Sequence, residues 1–339
     1  MFRRWVFVVL VMFVSTVSLS AIPVRAQEEM GKGPLTHEDY DTWKRIQGQQ
    51  ISPNGEWVVF SAVPQDGDGE LIAAHVESGR EHRYSRGTGA RFMPDSAYLV
   101  FTIAPSEEET EKAREAKTKP EDMPKSGLGI MNLVNGEVIE IERVRNFRVP
   151  QDAGGYIAYL REESDSEEEE TSAVEAEEQE GGEEAETEES EDKDKEFGTT
   201  LTVRSLSDGS EWNAESVLSY QFTDDGTVVL YTVSSEETPE SDGVYIYSPA
   251  QDAVATVLSG EGNYERLSLD EDQDRLAFVT DRDDYSADEP TFSLYGGDVG
   301  SSAAELWVSH TSTENFPAGM AVSRLAQVSF NNDGSIVLL

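Results

Sequence analysis

One short pattern recurs six times along this chain and restricts the fold more than any other feature. Each copy is a turn carrying Asn, Asp, Gly or Ser, followed by an apolar strand whose last residue is usually aromatic. The copies are Ile51-Ser-Pro-Asn-Gly-Glu-Trp-Val-Val-Phe60, Phe92-Met-Pro-Asp-Ser-Ala-Tyr-Leu-Val-Phe101, a weaker Val149–Tyr159, Phe222–Tyr231, Leu269–Phe278 and Phe330–Leu339. Asn54-Gly55, Asp225-Gly226 and Asp333-Gly334 supply residues that tolerate positive φ. The following residues are β-branched or aromatic, with the near-continuous hydrophobicity of a strand buried on both faces.

Aligned on Phe60, Phe101, Tyr159, Tyr231, Phe278 and Leu339, the copies are separated by 41, 58, 72, 47 and 61 residues. The shortest step is about one four-stranded propeller blade, and the longer ones are a blade plus an insertion. Further short strands are expected at Leu71–Val76, Leu128–Leu133, Leu201–Leu206, Val244–Tyr247 and Glu305–Ser309. Turns such as Ser78-Gly79, Asn135-Gly136 and Asp208-Gly209 follow several of them. The fold class read from this rhythm is all-β: an incomplete β-propeller of about six four-stranded blades over 51–339, with two short helices. A string of unrelated hairpins or a sandwich is the alternative.

Ahead of the repeats, Arg3 and Arg4 precede an apolar run from Trp5 to Val14, and Val24-Arg25-Ala26 places suitable residues before a cut after Ala26. Residues 1–26 are therefore read as a signal peptide. The protein is expected to be exported, periplasmic or extracellular, with no stable membrane span after cleavage. The chain contains no cysteine, so neither disulfides nor cysteine chemistry enter.

The formal charge is −42 from 26 basic and 68 acidic residues. A low-complexity stretch, 162–196, is read as a disordered acidic loop within the propeller, with Val174 its one apolar residue larger than alanine. The rest of the chain is acidic as well, a composition that salt-adapted proteins use, and it argues against nucleic acid as a partner.

Two helices are expected. In 27–50, Thr36-His-Glu-Asp39 reads as a capping box opening a short helix that ends before Gly48. Ser106-Glu-Glu-Glu109 opens a second, which Pro120 closes, with Glu108–Lys112 and Glu115–Lys119 as i,i+4 pairs. Lacking an apolar face, it should project from the propeller.

Catalytic signatures are missing from the sequence. No Gly-x-Ser-x-Gly elbow occurs, and His37, His75, His82 and His310 have no second histidine at zinc-ligand spacing. Asp66-Gly-Asp-Gly-Glu70 resembles a calcium loop but lacks the twelve-residue ligand pattern, so a hairpin turn is expected. No catalytic, cofactor-binding or metal-ligating residue is assigned, and no cofactor is expected.

Leu35-Thr-His-Glu-Asp-Tyr-Asp-Thr-Trp43 with the first repeat, and Ala113–Lys125 followed by Leu128-Gly-Ile, resemble exported bacterial serine peptidases of the prolyl oligopeptidase family. That resemblance implies an amino-terminal propeller followed by an α/β-hydrolase domain with a Ser-Asp-His triad. The propeller would gate the access of peptide substrates and dock the hydrolase domain. Leu339 falls within an expected strand, so the chain is read as stopping before that domain. A stand-alone periplasmic propeller acting as an interaction scaffold is the rival reading.

Overall fold

The computed structural model describes residues 43–162 and 195–338, apart from ten positions between 302 and 335. The expected signal peptide, most of the first expected helix, the bulk of the acidic stretch and Leu339 lie outside the described residues. What is described is all-β apart from one α-helix and two short 3-10 turns.

Each repeat supplies the first turn and second strand of an antiparallel meander. The first sheet is β1 (Arg45–Ile51), β2 (Trp57–Val63), β3 (Glu70–His75) and β4 (Glu81–Ser85), in spatial order. The second is β5 (Gly87–Phe92), β6 (Tyr98–Ile103), β7 (Gly127–Asn132) and β8 (Val138–Ile141). β9 (Val144–Arg148), β10 (Tyr156–Arg161), β11 (Thr199–Ser205) and the long β12 (Glu211–Phe222) form the third. The second half of β12 continues as the first strand of a fourth meander with β13 (Val229–Val233), β14 (Gly243–Ser248) and β15 (Ala253–Ser259). The register of β12 shifts between Val217 and Ser219, next to Ser216 at φ 54°. β16 (Tyr264–Leu269), β17 (Arg275–Thr280), β18 (Ser293–Asp298) and β19 (Glu305–Val308) make a fifth, and the hairpin β20 (Ser329–Phe330) and β21 (Val337–Leu338) follows.

The sheets stack in chain order, and every described core is a seam between two neighbours. Leu99 and Phe101 of β6 face Trp57, Val59 and Leu71 of the first sheet. Val100, one residue out of phase, faces Ile157 and Tyr159 of the third. Tyr231 packs with Ala158, Leu201 and Val203, and Phe278 with Leu230 and Ile246. Ala277 and Val279 meet Val322 and Val328. The aromatic anchor of each repeat thus turns towards the preceding sheet. Phe101, Tyr159 and Phe278 are fully buried, and Tyr231 nearly so. Phe60 has no preceding sheet among the described residues and is only half-buried.

Turn geometry follows the repeat. Five residues before Phe60, Phe101, Tyr231 and Phe278, the residues Gly55, Ser96, Gly226 and Gln273 all have positive φ, and in the third repeat positive φ falls at Gly155, four residues before Tyr159. Ser96 and Gln273, with no glycine freedom to exploit, instead accept hydrogen bonds from the preceding turn: Asn54 N–H to Ser96 Oγ at 3.2 Å and Asp224 N–H to Gln273 Oε1 at 2.5 Å. The turns at this end of the stack are thereby tied to one another.

Two expectations are corrected. The first helix was to run almost to Gly48, yet Arg45–Gln47 are strand and pair with Ser61–Val63. The exposed backbone edge of β2 provides hydrogen bonds for this polar segment, and tertiary pairing overrides local helix signals. The second helix, α1 (Glu107–Glu115), has the expected cap: Ser106 Oγ accepts from Glu109 N–H at 3.2 Å and donates to the Glu109 carboxylate at 2.7 Å. Lys112 pairs with Glu108 at 2.6 Å. The helix stops at Glu115, short of Pro120, because Lys117 turns to φ 55°, so the Glu115–Lys119 spacing crosses the helix end. No residue of α1 is buried.

Candidate functional site

In a meander the first strand leaves one backbone edge unpaired. Here β5, β9, the second half of β12 and β16 bring these first strands together around a groove of about 1010 Å³. Its walls include Arg91, Arg145, Arg148, Ser219, Gln221 and Ser268. Asp224 and Asp270, from the turns, line it as well.

The charge of these strands is opposite to that of the protein. Counting β1, β5, β9, residues 217–222, β16 and β20, the first strands carry Arg45, Arg91, Arg145, Arg148 and Arg266 against a single carboxylate, Glu265. In the whole chain, acidic residues outnumber basic ones 68 to 26. Arginines on other strands have carboxylate partners. Arg83 lies 2.8 Å from Glu70 and 2.6 Å from Glu81, Arg204 lies 2.5 Å from Glu211, and Arg161 lies 3.6 Å from Glu211. Among the described residues, none of the five first-strand arginines has a carboxylate within ion-pair distance, and all five are exposed.

Arg148 is held in place. Its guanidinium lies 5.8 Å from the centre of the Tyr220 ring, a cation–π distance. The Tyr220 hydroxyl donates to Asn146 Oδ1 at 2.8 Å and to the Ala158 carbonyl at 3.2 Å. Burial pushes the Tyr220 pKa up, against a smaller lowering by Arg148, so the ring stays neutral and keeps donating. Beside it, the Gln221 amide nitrogen is shielded from solvent and has no hydrogen-bond partner among the described residues.

A second ordered polar cluster is structural. Asp242, fully buried, accepts from Lys195 Nζ at 2.5 Å, from Ser235 N–H at 2.7 Å and from Gly262 N–H at 3.3 Å. It ties Lys195, at the end of the acidic stretch, to the fourth and fifth meanders, and its oxygens are occupied.

The histidines are dispersed. His82 stacks on Trp57 at 5.2 Å, His75 meets the same ring edge-on at 5.1 Å, and His310 lies 3.2 Å from Thr291 Oγ1. His37 is outside the described residues. Asp66–Glu70 connects β2 to β3, and Asp68 accepts the Glu107 N–H at 2.9 Å at the start of α1. Among the described residues no three His, Asp or Glu side chains are placed to hold a metal ion. No described helix is long and apolar enough to cross a membrane.

The groove arginines were not singled out in the sequence, although a signal for them exists. The residue immediately before each repeat is Gln50, Arg91, Arg148, Gln221, Ser268 or Ser329. One more position in the alignment turns an apolar pattern into one that begins with a polar tier.

No protein-family model matches the chain, and no curated protein sequence does. Solved structures do match. The β-propeller domain of the Trilobed protease from Pyrococcus furiosus is 11% identical at a TM-score of 0.39, over 76% of this chain and 70% of that one. A prolyl endopeptidase is 11% identical at 0.39, over 78% of this chain and 42% of its own. An oligogalacturonate lyase in complex with manganese is 14% identical at 0.43, over 87% and 73%. The chain therefore spans about two fifths of the prolyl endopeptidase's length. Likeness at this level assigns no activity, and the fold described above rests on the sheets themselves.

Proposed function

We propose that this chain is the non-catalytic propeller portion of an exported serine peptidase of the prolyl oligopeptidase type. In that reading it forms about six blades, admits peptides along the groove of its first strands and docks a carboxy-terminal hydrolase domain. The observation that carries the proposal is the groove itself. Its volume of about 1010 Å³ lies along the edges of the first strands, where Arg91, Arg145 and Arg148 stand beside apolar residues such as Phe147, Leu218 and Leu267. An extended peptide can hydrogen-bond to such edges through its main chain. The opening Asp39-Tyr-Asp-Thr-Trp43 and the charged insertion ending Met123-Pro-Lys125 support the family assignment through their resemblance.

Reading the coding DNA beyond codon 339 tests it directly. An in-frame continuation of several hundred codons with a Gly-x-Ser-x-Gly elbow and a later histidine is expected. A stop codon within one or two further blades would overturn the proposal in favour of a stand-alone scaffold.

A further inference from the structure

Arg91 and Arg148 occupy the same repeat position on neighbouring first strands, and both line the groove. Arg145 lies three residues before Arg148 on β9 and lines it too. Their companions at the equivalent position are Gln50, Gln221, Ser268 and Ser329, so this tier holds no carboxylate. Gln50 is already committed, its amide donating to the Ala90 carbonyl at 2.9 Å. Gln221 is not: its buried amide nitrogen lacks an acceptor among the described residues. A buried donor left without an acceptor is costly, and the exposed arginines lining this groove bring positive charge with no carboxylate within ion-pair distance among the described residues. An acidic protein in which the other strand arginines are matched by carboxylates leaves these exposed and unmatched.

From this geometry we infer that the groove binds carboxylate groups of peptides, with Arg91 and Arg148 as the principal contacts. The inference rests on the peptide-admitting reading above and adds a substrate class to it. A guanidinium presents a planar fork of N–H donors that matches a carboxylate bidentately, and the Tyr220 ring holds the Arg148 fork in place. Asp224 and Asp270 lie towards the turn end of the groove. They oppose a carboxylate there, so the anionic group is directed to the tier of Arg91 and Arg148.

The test is calorimetric titration of the full chain with two acetylated tetrapeptides: Glu-Glu-Gly-Gly with a free carboxyl end, and Gln-Gln-Gly-Gly as its amide. Inorganic phosphate serves as a third probe. The charged peptide should bind at least tenfold more tightly than the neutral one, and more weakly as salt is raised. Arg91→Gln with Arg148→Gln should abolish that difference. Arg83→Gln, at a matched arginine outside the groove, should leave it intact. Far-UV circular dichroism and the melting midpoint verify folding, and Arg91→Lys with Arg148→Lys should recover part of the preference if charge carries it. Peptides that bind equally whatever their charge, and equally to the Gln variant, would overturn the arginine assignment while sustaining a peptide groove. Phosphate binding without peptide binding would overturn both the carboxylate-peptide inference and the reading beneath it.

Discussion

If the cores are seams between successive sheets, truncating equivalent anchors should have unequal effects. Phe101 is fully buried, lies 4.9 Å from the Tyr84 ring and packs across the first seam. Phe101→Ala removes a buried ring and leaves a cavity bounded by two sheets, a change that costs about 3–5 kcal/mol. Phe60 occupies the same repeat position but is half-buried on a face without a described neighbour. Its truncation forfeits only part of a side-chain transfer energy, with little cavity contribution, so about 1 kcal/mol is expected. The difference, about 2 kcal/mol or more, is roughly a thirtyfold change in the folded-to-unfolded ratio. Equilibrium urea unfolding, followed in parallel by tryptophan fluorescence and far-UV circular dichroism, measures it, coincidence of the two probes being the check on two-state behaviour. Equal destabilisation by Phe60→Ala and Phe101→Ala would refute the reasoning, because it would require a core on both faces of the first sheet.

Three further outcomes are expected. Asp242→Ala strands the largely buried Lys195 ammonium, whose side chain is 10% exposed, and should cost about 3–5 kcal/mol in thermal or urea unfolding; adding Lys195→Met should restore part of it in a double-mutant cycle. Gly129→Ala would place a Cβ 2.4 Å from the Phe101 ring, and overpacking of this kind should cost about 1–3 kcal/mol, largely relieved by Phe101→Leu. Burial, assisted by hydrogen-bonded carboxylates, pushes the Tyr84, Tyr247 and Tyr295 pKa values from an ordinary 10.0 up to about 12. Because the folded state holds these protons more tightly, their contribution is complete below pH about 10 and is lost as pH rises towards 12. Ultraviolet titration should show delayed tyrosine ionisation together with falling stability across that window; normal ionisation in the folded protein would exclude it.

Much of the fold was legible because burial on both faces leaves a strong trace in sequence. The runs ending at Phe101, Tyr231 and Phe278 are near-continuously apolar, and each became the second strand of a meander. The left-handed turns were legible where Gly55 and Gly226 mark them. Gln273 gives no such mark, since its conformation is accompanied by a contact with Asp224 that only the packed turns provide. β1 was missed for a related reason. Arg45-Ile-Gln-Gly-Gln-Gln-Ile51 lacks strand alternation and is mostly polar between Ile46 and Ile51, and the edge of β2 makes it a strand. The same polarity concealed the groove, because residues that line a solvent-filled space carry no periodic hydrophobic signature. Arg91 and Arg148 acquire meaning only once the first strands are brought together.

The shared seams also divide where heritable variation can accumulate. A side chain enlarged on one sheet, at Val100 for instance, must be matched on the facing sheet near Ile157 and Tyr159, so seam positions change in concert or hardly at all. The connections between second and third strands face no such constraint: one is only the bend between β2 and β3, while another holds the whole of α1 without burying a residue of it. Lineages descended from such a chain would keep the sequence of the seams and diversify at one end of the stack, acquiring new attachments there without renegotiating the interior.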